Sequence, residues 1–168
     1  MEIKKEKEKI NFVFFNNKFI IAASLLVYYF FGFYTDENSA GAGGYNADLS
    51  LIWSNLNLLK EDLLSNLDNP LYNDSRTPLP YILHILFNPF INDLENFRTS
   101  VFLISSTVPL LLFLAIKENY PKLDKSIVLL LALIVTLSPY FRTSSFWGLS
   151  ENYAFIFVIL SYLIYQKL

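Results

Sequence analysis

The sequence predicts an all-α integral membrane protein: a helical bundle of about four transmembrane helices, with amphipathic surface helices in a long first outer loop. Of its 168 residues, 54% are hydrophobic and 17% are charged, which is too apolar for an ordinary soluble domain of this size. Four uncharged apolar stretches approach membrane-crossing length, at residues 19–35, 99–116, 126–141 and 152–166. Arg142 and Glu151 lie between the last two stretches, where a helical hairpin would turn near water.

The charged residues predict which side of the membrane each segment faces. Every arginine lies in a segment that would face outward. Most lysines lie in segments that would face the cytoplasm, which include the basic tail, residues 1–18. These inner lysines are Lys4, Lys5, Lys7, Lys9, Lys18, Lys117, Lys122, Lys125 and Lys167. The positive-inside rule therefore places both termini in the cytoplasm. We expect residues 19–168 to form the membrane domain, in a bacterial plasma membrane.

Composition excludes several classes of site. The chain has no cysteine and one histidine, so disulfides, zinc–thiolate sites, iron–sulfur clusters and two-histidine metal sites are excluded. With 13 basic and 15 acidic residues, the net charge of −2 leaves no strongly basic face for nucleic acid. Chemistry would have to use carboxylates, hydroxyls, amides or a few cations, and we expect neither a metal nor a cofactor.

The loop between the first two stretches, residues 36–98, is too long for a simple connector, and loops of this length usually carry function. From residue 47 to 67 its apolar residues recur at three- and four-residue steps. This spacing predicts an amphipathic helix that lies on the outer membrane surface or packs on the bundle. Prolines at 78, 80 and 89 then bracket about three apolar turns, which predicts a second surface or re-entrant helix.

Few side chains outside the apolar stretches are suited to catalysis. Asp36 and Glu37 stand where the first helix leaves the membrane, a position of restricted water that suits a general base, although they could simply mark the membrane boundary. Arg76 and Arg142 are outward-facing cations that could hold a lipid phosphate by paired hydrogen bonds. For Arg98, anchoring at the membrane interface is the favoured interpretation.

Three further residues have local structural interpretations. Glu151 opens the fourth apolar stretch, where a carboxylate complements the helix N-terminus, and this capping role competes evenly with a catalytic one. His84 lies on the apolar face of the second surface helix and has no second metal ligand, so we interpret it as a packing or hydrogen-bonding residue. Pro109 predicts a kink in the second apolar stretch.

Several short motifs follow one another in a characteristic order. The two acids stand in YTDEN after the first stretch, Arg76 precedes the proline-rich helix in SRTPLPYILHILFNPF, and Arg98 leads into the second stretch in ENFRTSVFLISS. The segment TLSPYFRTSSFWGLSENYAFIF then supplies Ser-Pro, Arg142 and Glu151. In this order the features resemble the N-terminal part of the polyprenyl-phosphate-sugar-dependent membrane glycosyltransferases. The resemblance is to glycosyltransferase family 39 of the C-type superfamily, with the protein O-mannosyltransferases and the lipid A aminoarabinose transferases.

The resemblance implies that a sugar passes from a polyprenyl-phosphate donor to an acceptor hydroxyl or amine at the outer face, with inversion. Asp36 would be the carboxylate base, and Arg76 with Arg142 would hold the lipid phosphate. Glu37 and Glu151 would position the acceptor or support the charge network. Because enzymes of this family are much longer, we expect the chain to be the N-terminal portion of a longer enzyme.

Two other function classes stay open. A non-catalytic multi-span membrane subunit or assembly factor would explain the shortness of the chain and the lack of any strong site. It predicts stable copurification with partner membrane proteins and no binding of polyprenyl phosphate. A small transporter is disfavoured, because the apolar stretches carry almost no polar or ionisable groups that could line a path.

Overall fold

The computed structural model describes residues 2–38, 45–72, 74 and 77–168, which form helices and turns with no strand among them. The α-helices are α1 (Glu2–Tyr34), α2 (Ser50–Glu61), α3 (Leu63–Asn66), α4 (Leu79–Phe87), α5 (Leu94–Ser105), α6 (Thr107–Asn119), α7 (Lys125–Leu133), α8 (Pro139–Phe146) and α9 (Glu151–Tyr165). A π-helical turn, Tyr45–Leu49, precedes α2, and a 3₁₀ turn, Ile134–Leu137, follows α7. The predicted all-α fold is therefore confirmed for the described part of the chain.

Two helical segments are long and apolar enough to cross a membrane: Asn17–Tyr34 within α1, and Leu94–Asn119, which joins α5 and α6. A third crossing exists only if Lys125–Leu137 is counted together with α8, from which it is bent by 73°. Helix α9 has 15 residues and reaches about 22 Å, short of a hydrocarbon core of about 30 Å. The structure is thus compatible with a membrane protein of two or three spans, and the predicted four-span bundle is not confirmed.

Prolines account for the interruptions in the expected spans. The third apolar stretch does not run straight to residue 141, because the Ser138 side chain accepts a hydrogen bond from the Phe141 N–H (3.3 Å) and Pro139 begins α8. In the second stretch the helix is interrupted at Ser106, between α5 and α6. Pro109 lacks the N–H that would bond one turn back, so the predicted irregularity occurs one turn before the proline.

The C-terminal half of α1 packs against α7 and α8, and aromatic rings make its contacts with α8 and α5. Tyr29 stacks on Phe141 with ring centroids 5.7 Å apart, and Phe33 stacks on Phe102 of α5 at 4.1 Å. Such ring pairs contribute about 0.5–1.5 kcal/mol each beyond the burial of their area. This aromatic core fixes the end of α1 between α5 and α8, where the candidate site lies.

The long loop supplies the two expected helices. The amphipathic helix predicted over 47–67 packs on the bundle and buries one face, made of Leu49, Ile52, Asn55, Leu56 and Leu59. It is interrupted at Asp62, whose carboxylate accepts a hydrogen bond from the Ser65 N–H (3.2 Å) and starts α3. The second predicted helix is α4, which begins at the expected prolines and packs on α2.

Candidate functional site

The end of α1 presents two acids side by side. Its last turn is a Schellman cap, in which the Glu37 N–H donates to the Gly32 carbonyl (2.9 Å) and the Asp36 N–H donates to the Phe33 carbonyl (3.3 Å). The cap gives Asp36 a left-handed φ of 55°, which favours glycine and which Asp tolerates better than most residues. The turn directs the two neighbouring carboxylates to different arginines.

Arg98 of α5 binds Asp36. Its Nη2 donates to Asp36 Oδ1 at 2.6 Å and to the Phe33 carbonyl at 3.2 Å, while its Nε donates to the Phe146 carbonyl at 2.7 Å. The guanidinium carbon lies 4.1 Å from the centroid of the Trp147 ring. The Arg98 side chain is 7% exposed, whereas that of Asp36 is 65% exposed. The cation is therefore fixed inside the protein, and Asp36 Oδ2 faces outward without a hydrogen bond to the described residues.

Arg142 of α8 binds Glu37. Its Nη2 donates to Glu37 Oε1 at 2.9 Å, and its Nη1 donates to the carbonyls of Thr136 (3.1 Å) and Leu137 (2.9 Å). The indole N–H of Trp147 donates to the Glu37 carbonyl at 3.0 Å. The Glu37 side chain is 26% exposed, so this pair is more enclosed than the first. These bonds tie the end of α1 to the turn that precedes α8.

Gly32 makes room for this arrangement. A Cβ atom at this position would lie 2.5 Å from Glu37 Oε2 and 2.9 Å from Cε2 of Phe146. Both distances are shorter than atoms tolerate, so any larger residue would displace the carboxylate or the ring. The absence of a side chain at Gly32 thus allows Glu37 to fold back beside the helix end.

Asp36, Glu37, Arg98 and Arg142 together form what we call the ion-pair cluster. A buried arginine is costly unless carboxylates and carbonyls satisfy it, and both arginines here have such partners. The cluster holds two positive and two negative charges, so it attracts neither sign strongly at long range. Its chemically available group is the outward oxygen of Asp36, which can accept a proton or a hydrogen bond.

Glu151 and Arg76 are the remaining predicted site residues. Glu151 is the exposed first residue of α9, a position compatible with both its capping and its catalytic interpretation. Arg76 lies outside the described residues, so its predicted grouping with Asp36 and Glu37 stays a prediction. The part of the chain that the structure describes contains no group of three or more His, Asp or Glu side chains that could hold a metal ion.

A second polar group, which we call the histidine cluster, consists of His84, Asn88, Ser100 and Tyr153. The Phe90 N–H donates to Asn88 Oδ1 (2.9 Å), which fixes the amide so that its Nδ2 donates to His84 Nδ1 (2.8 Å) and to Ser100 Oγ (2.7 Å). Since Nδ1 is an acceptor, neutral His84 carries its hydrogen on Nε2.

That Nε2–H donates to the Tyr153 hydroxyl oxygen at 2.6 Å. Burial lowers the pKa of His84 to about 4, which keeps the ring neutral. The expectation that His84 is a packing and hydrogen-bonding residue is confirmed, since it is buried and bonded on both ring nitrogens.

Sequence reasoning missed two contributors to the site. Arg98 is the partner of Asp36, although anchoring at the interface was the favoured interpretation for it. Trp147 packs on Arg98 and bonds the Glu37 carbonyl. The available signal is the aromatic FWG segment at residues 146–148, because arginine stacks on aromatic faces where it leaves water.

Comparison with known proteins finds no relative: no protein-family description, curated protein or solved structure matches the chain. The resemblance to membrane glycosyltransferases therefore depends on the order of the motifs, and it stays a prediction.

Proposed function

We propose that this protein is a membrane glycosyltransferase, which moves a sugar from a polyprenyl-phosphate donor to an acceptor at the outer face. The observation that carries the proposal is the environment of the Asp36 carboxylate. One of its oxygens lies 2.6 Å from the buried Arg98, while the side chain, just after the C-terminus of α1, is 65% exposed. A carboxylate fixed in this way is oriented for proton transfer, because its partner cannot move and its second oxygen is accessible.

The proposed reaction is one inverting displacement. The acceptor hydroxyl or amine attacks the anomeric carbon on the face opposite the polyprenyl phosphate, and Asp36 takes the proton that the acceptor loses. The bond to the phosphate oxygen breaks, and polyprenyl phosphate leaves with the electron pair. A lipid-linked donor must be met at the membrane surface, which is where the end of a spanning helix presents Asp36.

The departing phosphate needs a cation. Arg76 and Arg142 are the candidates from the sequence. Arg142 is already bonded to Glu37 and to two carbonyls, so a phosphate at Arg142 would have to share it with Glu37 or replace that carboxylate. Glu37 and Glu151 remain the proposed residues for positioning the acceptor or supporting the charge network.

The test is Asp36→Asn in membranes that contain the full protein, assayed with radiolabelled polyprenyl-phosphate mannose and aminoarabinose. Asn keeps the size, the left-handed turn and an oxygen for Arg98, and it removes the base. We expect transfer to fall by about 10²-fold or more, with unchanged membrane insertion. Unchanged turnover would remove Asp36 from the mechanism.

The matched control is Glu95→Gln. Glu95 approaches the same guanidinium at 3.6 Å, and its side chain is 75% exposed. The variant removes one acid beside Arg98 and leaves the proposed base in place, so we expect transfer to be retained. An equal loss of transfer in both variants would assign the effect to the removal of a negative charge beside Arg98, and not to proton transfer by Asp36.

A second candidate function is a non-catalytic membrane subunit or assembly factor. It is favoured by one observation: both arginines of the ion-pair cluster are buried and bonded inside the protein, as in a structural clamp. This function predicts copurification with partner membrane proteins and no binding of polyprenyl phosphate. Measured binding of polyprenyl phosphate to the purified protein therefore separates the two candidates.

A further inference from the structure

An apolar groove lies at the end of the candidate membrane helices that is opposite to the ion-pair cluster. A cavity of about 640 Å³ opens between α1, α6 and α7. Its walls are almost entirely apolar, and its polar lining consists of two lysines and two serines. The residues that line it include Lys18, Leu26, Ser106, Leu110, Lys125 and Ser126.

The two lysines lie together at one end of the groove. Lys18 forms an ion pair with Asp124 at 3.2 Å, and Asp124 immediately precedes Lys125. Since Lys18 and Asp36 are separated by about 27 Å along a helix of 1.5 Å rise per residue, they mark opposite faces of a hydrocarbon layer of about 30 Å. The groove therefore starts at one membrane interface, and its walls continue from Lys18 toward Leu26 into the apolar layer.

The charge at this end is positive. Asp124 is engaged by Lys18 and by the N–H groups of Ser126 and Ile127, which it caps at the start of α7. Lys125 makes no ion pair or hydrogen bond with the described residues, so its ammonium is available. Lys117 in the last turn of α6 and Lys122 in the connection to α7 add positive charge, and Glu118 adds one acid. Four lysines therefore face two acids at this end, so an anion that arrives at the mouth of the groove meets a net positive charge and the unpaired ammonium of Lys125.

We infer that this groove binds an anionic glycerophospholipid, with one acyl chain along the apolar walls and the phosphate at Lys18 and Lys125. An apolar groove of this size accepts a lipid chain, and lysine holds phosphate as a point charge. Under the predicted orientation this end faces the cytoplasmic leaflet, which carries the acidic lipids. The site is separate from the ion-pair cluster, and its occupancy does not depend on the proposed transfer reaction.

The test is competition between two lipids that have identical acyl chains, phosphatidylglycerol and phosphatidylcholine, in nanodiscs that contain the full protein. Native mass spectrometry counts the lipid molecules that stay bound after release from the disc. We expect phosphatidylglycerol adducts to exceed phosphatidylcholine adducts about fivefold or more, and the double variant K18Q/K125Q to reduce the ratio to parity. Equal retention of both lipids by the unmodified protein would overturn the inference, since it describes an unselective lipid-facing surface.

The matched control is Lys167→Gln, which removes an exposed lysine outside the groove. We expect the lipid preference to persist in this variant, and an equal loss would show a general charge effect and contradict the site. Leu110→Trp fills the groove and should remove the adducts of both lipids. If the double variant does not fold, K125Q alone decides the outcome, because the Lys125 side chain makes no ion pair or hydrogen bond with the described residues. An unchanged preference in K125Q would then overturn the inference.

Discussion

The ion-pair cluster and the histidine cluster both use residues of α5, yet they keep polar groups inside the protein by opposite means. In the first, Arg98 stays charged because a carboxylate and two carbonyls surround it. In the second, burial lowers the pKa of His84 to about 4, so the ring is neutral and its nitrogens bond to an amide and a hydroxyl. Among the described residues, the buried arginines keep their charge where a carboxylate reaches them, and the buried histidine, which has no such partner, is neutral.

A second contrast lies within the ion-pair cluster. The Asp36 side chain is 65% exposed and that of Glu37 is 26% exposed, although the two residues are neighbours and each binds a buried arginine. Glu37 also accepts a bond on its carbonyl from Trp147, and it rests against Gly32. The enclosed pair is thus expected to support the fold, and the exposed acid to be free for chemistry.

The largest effect is expected from Arg142→Met. This change leaves Glu37 without its counter-charge and removes the donors from the carbonyls of Thr136 and Leu137. Removing one partner of an enclosed pair costs about 3–5 kcal/mol, which denaturant unfolding in detergent micelles measures. Arg142→Lys keeps the charge and should recover only part of the loss, since lysine lacks the planar fork. A cost below about 1 kcal/mol in Arg142→Met would show that the pair is not structural.

The histidine cluster predicts a specific loss of stability in mild acid. In the unfolded chain His84 takes a proton near its ordinary pKa of about 6.5, whereas in the folded protein it does so only near 4. The contribution of neutral His84 to the free energy of unfolding is therefore fully present above pH 6.5 and decreases as the pH falls toward 4. Between pH 7.5 and pH 5 the free energy of unfolding should drop by about 2 kcal/mol.

His84→Gln is the control for that acid sensitivity, because glutamine cannot take the proton. Unfolding curves of both proteins at the two pH values should show a smaller pH-dependent change in the variant. The same slope in both proteins would mean that other groups, and not His84, cause the loss.

Gly32→Ala should have a smaller effect. The new Cβ would press on Glu37 and on the Phe146 ring, and such overpacking costs about 1–3 kcal/mol. Alanine regains about 1 kcal/mol as the better helix former, so we expect a net loss of about 1 kcal/mol. Because the shorter of the two clashes is with Glu37, the double variant with Glu37→Ala should lose less than the sum of the two single changes. Strict additivity would contradict the contact.

The sequence predicts the helices better than it predicts the site. The stripe of Leu49, Ile52, Leu56 and Leu59 is sufficient to place α2, because helical periodicity is a local property. Hydropathy also placed the apolar segments, but it ran through Ser138, where a cap and a proline turn the chain by 73°. That error arises because a hydropathy window sums composition and does not register the direction of the backbone.

The pairing in the ion-pair cluster could not be predicted. The Asp36–Arg98 contact joins residues 62 positions apart, and the Glu37–Arg142 contact joins residues 105 positions apart. Three arginines with the same chemistry lay in segments expected on one side of the membrane, and spacing alone does not show which of them reaches which acid. The choice is made by the packing of α1 between α5 and α8, which depends on Phe33.

The smallest change in stability is expected at Asp36, the proposed catalytic base. Asp36→Asn keeps an oxygen for Arg98, and Glu95 at 3.6 Å still supplies that guanidinium with a negative charge, so the unfolding free energy should change by less than about 1 kcal/mol. Glu37→Gln should cost more, about 2 kcal/mol, because it takes the counter-charge from the enclosed Arg142. Paired unfolding curves of the two variants make the comparison, and equal costs would contradict the division between an exposed and a structural acid. Loss of transfer in Asp36→Asn with unchanged stability would assign Asp36 a role in catalysis. Replacing a residue that is needed only for folding would instead lower the unfolding free energy.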